Sequence, residues 1–71
     1  MKSLILLRHG ASEWPGSGHE DSDRPLTKVG AAECLGVAQW LNAHEIAPDH
    51  ALVSSALRTR QSWDIVRDNL V

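Results

Sequence analysis

Arg8, His9 and Gly10 stand side by side at the end of an apolar run, and a second arginine, Arg58, follows the pair Ser54-Ser55 far along the chain. An arginine presents a rigid fork of N–H donors that matches the oxygens of a phosphate and stays charged. A neutral imidazole beside such cations can attack phosphorus and carry the phosphoryl group covalently. The cations meanwhile neutralise the equatorial oxygens as a loose transition state forms. Gly10 leaves room for the backbone to approach a bound group, and Ser12 adds a hydroxyl two residues on. The chemistry on offer is capture of a multi-oxygen anion, with His9 as nucleophile.

Such groups work only if the fold brings them together. Ser3 to Leu7 is continuously apolar and short, which suits a strand covered on both faces, as in a parallel sheet. Residues 8 to 26 carry Gly10, Pro15, Gly16, Gly18 and Pro25 with the acidic residues Glu20, Asp21 and Asp23, and read as a long loop. Thr27 is a good helix N-cap. A helix is expected from Lys28 to about His44, with Ala31, Leu35, Ala38 and Leu41 on one face; Gly30 and Gly36 would let it lie close to a sheet. Ile46 to Asp49, with Pro48, breaks it.

His50 to Val53 then reads as a second short strand, Ser54 or Ser55 as an N-cap, and Ala56 to about Leu70 as a second helix with Leu57, Trp63, Ile65, Val66 and Leu70 apolar. The order β-loop-α-β-α predicts a parallel pair with a right-handed crossover. Ligands of such sheets sit beyond the carboxyl ends of the strands, so Arg8-His9-Gly10 and the Ser54–Arg58 turn would meet at one edge. Two strands and two helices leave both edges of the sheet open and its faces poorly covered. The expectation is therefore an α/β three-layer sandwich with a mostly parallel sheet, of which residues 1–71 form the N-terminal β-α-β-α half.

The 71 residues are 42% hydrophobic and 23% charged with a net charge of −2, ordinary for a globular chain. With no basic face or run, neither nucleic acid nor a membrane surface is an expected partner. The apolar run before Arg8 is too short for a signal peptide or a membrane span. Cys34, the single cysteine, excludes an internal disulfide and reads as a small buried hydrophobe. A cytoplasmic location is expected.

Three segments in order, "LLRHGASEW", "DRPLTKVG" and "LVSSALRTRQSW", resemble the histidine phosphatase superfamily, the phosphoglycerate-mutase-like proteins. The first is similar to the family's Arg-His-Gly phosphoacceptor motif and the second to its Asp-x-Pro-Leu-Thr-x-x-Gly entry to the first helix. The third is similar to its Ser-x-x-x-Arg segment, with Ser62-Trp63 where Thr-Ala is common. The resemblance implies that His9 is the phosphoacceptor, that Arg8 and Arg58 clamp the phosphate, and that Ser12 reaches it. Pro15 stands where mutase-type members tend to have Asn, and the "DSDRPLT" loop looks more like the small SixA-type phosphohistidine phosphatases, which need no metal or organic cofactor.

The family also uses a second catalytic histidine, in a Gly-His pair of the C-terminal half. Gly18-His19 has those letters but precedes Arg58 and is not given that role. The expected activity is thus hydrolysis of a phosphohistidine or phosphomonoester, on a phosphorylated protein or a small molecule, with a complementing C-terminal segment or second chain as partner. The rival readings are a small-molecule phosphatase or mutase of the same superfamily, and a phosphate-binding module without catalysis.

For the remaining candidates the bland reading is preferred. The cluster His19, Glu20, Asp21 and Asp23 is taken as solvated and not as a metal site. Arg60 and Arg67 are surface residues, and His44 and His50 face solvent. Trp14 is placed at the pocket mouth, Trp40 and Trp63 in packing.

Overall fold

The computed structural model describes residues 4–14, 18 and 20–71. Two helices, α1 (Lys28–Ala43) and α2 (Leu57–Asn69), follow one turn of 3-10 helix at Asp21–Asp23. Ser3, Pro15, Gly16 and His19, to which the sequence reading gave roles, lie outside the described residues.

Helix α1 starts and stops for identifiable reasons. The Thr27 hydroxyl accepts from the Gly30 N–H at 3.0 Å, which satisfies one of the free donors of the first turn. At the other end Glu45 takes a left-handed φ of 55°. Its N–H donates to the Asn42 carbonyl and that of Ile46 to the Leu41 carbonyl, the paired bonds of a Schellman termination. Ile46 then folds back to pack against the core. Helix α2 begins one residue later than expected: its N-cap is Ala56, with no side-chain cap, and the Ser54 hydroxyl accepts from the Ala56 N–H at 3.3 Å.

The two helices pack on each other through Cys34, Ala38 and Leu41 of α1 and Val66 of α2, all buried, with Leu26, Val37, Ile46, Trp63, Ile65 and Leu70 around them. The buried stripe of α1 is Gly30, Cys34, Ala38 and Leu41. The expected stripe differed at its N-terminal end, since Leu35 is exposed and Ala31 only half-buried. Cys34 is buried, as expected of a small hydrophobe. Trp40 is not a packing residue; it stacks on His44 with ring centroids 4.1 Å apart. Asn42 closes the far end, its amide donating to the Asn69 carbonyl at 2.8 Å and its oxygen accepting from the Val71 N–H at 3.1 Å.

The expected sheet is not present among the described residues. Neither Leu4–Leu7 nor His50–Val53 forms a strand, and the one β-type pairing is an isolated antiparallel bridge between Ser12 and Leu26. A strand exists only by virtue of its partners, and two segments of this length cannot stabilise a ladder by themselves. Their side chains accordingly lie open: Leu4 is 85%, Leu6 88% and Leu52 fully exposed. The radius of gyration, 12.8 Å, exceeds the roughly 11 Å of a compact chain of this length. No helix among the described residues is long and apolar enough to cross a membrane.

Candidate functional site

The segment after Leu7 is held far more firmly than the segment before it. The Gly10 N–H donates to the Ser62 hydroxyl at 3.1 Å, and that hydroxyl donates on to the Arg58 carbonyl at 2.7 Å. The Ala11 N–H donates to the Glu33 carboxylate at 3.0 Å. The Ala11 carbonyl accepts from both the N–H and the hydroxyl of the cap residue Thr27. Thus α1, α2 and the cap between loop and helix each hold one backbone group of the Gly10–Ala11 pair.

Glycine is needed twice in this contact. A Cβ on Gly10 would lie 2.5 Å from the Gly30 carbonyl oxygen, and one on Gly30 would fall onto the Ala11 carbonyl. Gly10 was expected to make room for a bound group; the neighbour it makes room for here is α1. Gly30 does permit the expected close approach, to this segment and not to a sheet. Gly36 faces open space and permits none.

An open cleft of about 560 Å³ lies over this segment, lined by Arg8, His9, Gly10, Ala11, Ser12, Arg24 and Glu33. The structure therefore brings together Arg8, His9 and Ser12 from the sequence-derived set. The His9 Nδ1 lies 2.7 Å from the Gly10 carbonyl oxygen. Because a carbonyl can only accept, Nδ1 carries the proton of the neutral ring and Nε2 keeps its lone pair. Trp14, expected at the mouth, does not line the cleft and is 82% exposed.

Arg58 does not line the cleft. Its guanidinium turns to the 3-10 turn, where Nη1 donates to the Asp21 carbonyl at 2.7 Å and Nη2 meets Asp21 Oδ2 at 3.3 Å. The other carboxylate oxygen, Oδ1, takes Nη2 of Arg24 at 2.7 Å, and Arg24 Nη1 donates to the Glu13 carbonyl at 2.8 Å. The hydrogen bond from Arg24, then the charges of Arg58 and Arg24, hold the Asp21 carboxyl below the usual carboxylate range. Arg24, Ser62 and Glu33 were missed as site residues by sequence reasoning. Ser62 carried a usable signal, since it is four residues before Val66 on the buried face of α2 and a buried hydroxyl needs partners.

The family model of the histidine phosphatase superfamily (branch 1) matches residues 4–71. The chain belongs to that superfamily. It is 44% identical over 61 residues to an uncharacterised chloroplastic protein of Arabidopsis thaliana, covering 86% of this chain and 28% of that protein. To the phosphohistidine phosphatase SixA of Escherichia coli K12 it is 34% identical over 67 residues, covering 94% of this chain and 40% of SixA. Phosphoglycerate mutases and a sedoheptulose 1,7-bisphosphatase are also among its relatives. Among solved structures, the histidine phosphatase SixA complexed with tungstate superposes with a TM-score of 0.82 at 36% identity, covering 90% of this chain and 40% of that one. The chain thus spans between about a quarter and two fifths of the proteins it matches, and over that part it superposes on SixA, with the helices but not the sheet of an α/β fold among the described residues.

Proposed function

We propose that this chain supplies the phosphate-binding half of a phosphohistidine or phosphomonoester phosphatase, with residues 1–71 as the N-terminal half of a single domain. The observation that carries the reading is the 2.7 Å approach of His9 Nδ1 to the Gly10 carbonyl oxygen: in the neutral ring it assigns the proton to Nδ1 and leaves the lone pair on Nε2, in a cleft that Arg8 also lines. In the proposed step His9 Nε2 attacks phosphorus and the bond from phosphorus to the leaving nitrogen or oxygen breaks. The leaving group takes a proton from a donor in the complementing C-terminal half. Water then hydrolyses the phosphohistidine, releasing inorganic phosphate and regenerating the free imidazole.

Arg8 is proposed to neutralise the equatorial oxygens and Ser12 to donate to one of them. Arg58 joins them once its guanidinium leaves Asp21. The likeness to SixA favours a phosphohistidine on a protein as substrate over a small phosphomonoester, and no cofactor is invoked. The single cysteine, buried and unpaired, suits a cytoplasmic setting. In the protein expressed from its complete reading frame, His9→Ala is expected to abolish hydrolysis of a phosphohistidine peptide while inorganic phosphate still binds. Retained turnover would overturn the covalent mechanism.

A further inference from the structure

Arg24 and Arg58 reach the same carboxylate from two directions. Their side chains are only 14% and 16% exposed, whereas Asp21 is 73% exposed. One carboxylate spans both Nη2 atoms, Oδ1 on Arg24 and Oδ2 on Arg58, so the spacing of the two guanidiniums fits a single oxyanion. Charge does not balance there, since two largely buried cations share one anion. Nor does hydrogen bonding: the Nε atoms of both arginines are buried and have no partner among the described residues. Buried guanidinium N–H groups without acceptors are costly, and a second defect of the same kind at the same pair points to one missing group. Arg24 also lines the cleft that holds His9.

We infer that Arg24 is a further phosphate-binding residue, paired with Arg58, and that the Asp21 carboxylate is an internal stand-in which the phosphate of the substrate displaces. The inference rests on the proposed phosphatase reading and adds to it a third arginine and a competitor. A phosphate brings more charge and more acceptor oxygens than a carboxylate, so it can satisfy donors that Asp21 leaves unmet. Displacement also frees Arg58, which in this structure is turned away from the cleft, to join Arg8. Asp21 thereby keeps the arginine pair assembled when no substrate is present.

The test is calorimetric titration of inorganic phosphate into the intact protein, wild type against Asp21→Asn, Arg24→Gln and Arg24→Lys. Competition predicts opposite signs. Asp21→Asn tightens phosphate binding several-fold, and Arg24→Gln weakens it by at least about tenfold, the size of a lost charge-assisted hydrogen bond. Arg24→Lys, which keeps the charge and loses the fork, falls between. If the bridge is structural only, both Asp21→Asn and Arg24→Gln weaken binding together, and the inference is overturned. An unchanged Kd in Arg24→Gln overturns it equally. Should Arg24→Gln fail to fold by circular dichroism, Asp21→Asn decides alone: tighter binding supports displacement, and unchanged or weaker binding refutes it. Wild-type protein that binds no phosphate would overturn the phosphatase reading with it, whereas binding that ignores Arg24 removes only this assignment.

Discussion

Leu4–Leu7 and Arg8–Ser12 are neighbours in the chain and opposites in how they are held. The first is apolar and exposed, with no hydrogen bond among the described residues. The second is polar, yet Gly10 and Ala11 are tied to α1, to α2 and to the Thr27 cap. The difference teaches that the geometry around His9 is built by the helices and their caps. A sheet is not needed to place Gly10 on Gly30 or on Ser62. Leu4–Leu7 and His50–Val53 have no such ties among the described residues, and their apolar side chains stay exposed.

The contrast can be broken first where its expected effect is largest. If Leu4–Leu7 is a covered strand in the intact protein, Leu6→Asp buries an unpaired charge and lowers stability by at least about 3 kcal/mol. Denaturant unfolding reads this directly, and an unchanged midpoint would mean that the segment stays exposed. The next effect separates two glycines of one helix. Gly30→Ala drives a methyl into the Ala11 carbonyl and should cost about 1–3 kcal/mol, with faster amide exchange at Gly10 and Ala11. Gly36→Ala, which faces open space, should instead stabilise by about 0.5–1 kcal/mol. Equal effects at both positions would dissolve the account of the close contact.

The smallest effect is a pH dependence. The folded-state pKa of Asp21 is lowered, so its contribution is complete above the ordinary aspartate value of about 3.9. That contribution is lost as the pH falls through the still lower folded value. Thermal midpoints measured from about pH 5 downward should therefore fall less steeply for Asp21→Asn than for wild type. Parallel curves would mean that the bridge to Arg24 and Arg58 carries no stability.

Much of this was legible in the sequence because it is local. The Thr27 cap and the end of α1 at His44 follow from residues within a few positions of one another. The stripe on α1 was misplaced near its start because Gly30 and Cys34 are buried by what lies across from them, which periodicity does not report. The strands were read from apolar runs, but a run states only what it would bury and not what covers it. At the site, Arg8, His9 and Ser12 share a cleft because they are near in sequence. Arg24 was hidden in a loop that reads as solvated, and the orientation of Arg58 depends on Asp21, 37 residues away. An ion pair of that separation leaves no mark on local patterning.

The central claim is that His9 Nε2 accepts a phosphoryl group. Its most direct test is the intact mass of the protein expressed from its complete reading frame, before and after exposure to phosphoramidate at neutral pH. The account predicts the gain of one acid-labile phosphoryl group that maps to His9 and is absent from His9→Ala. A phosphoryl group on another residue, or undiminished hydrolysis of the donor by His9→Ala, would contradict it.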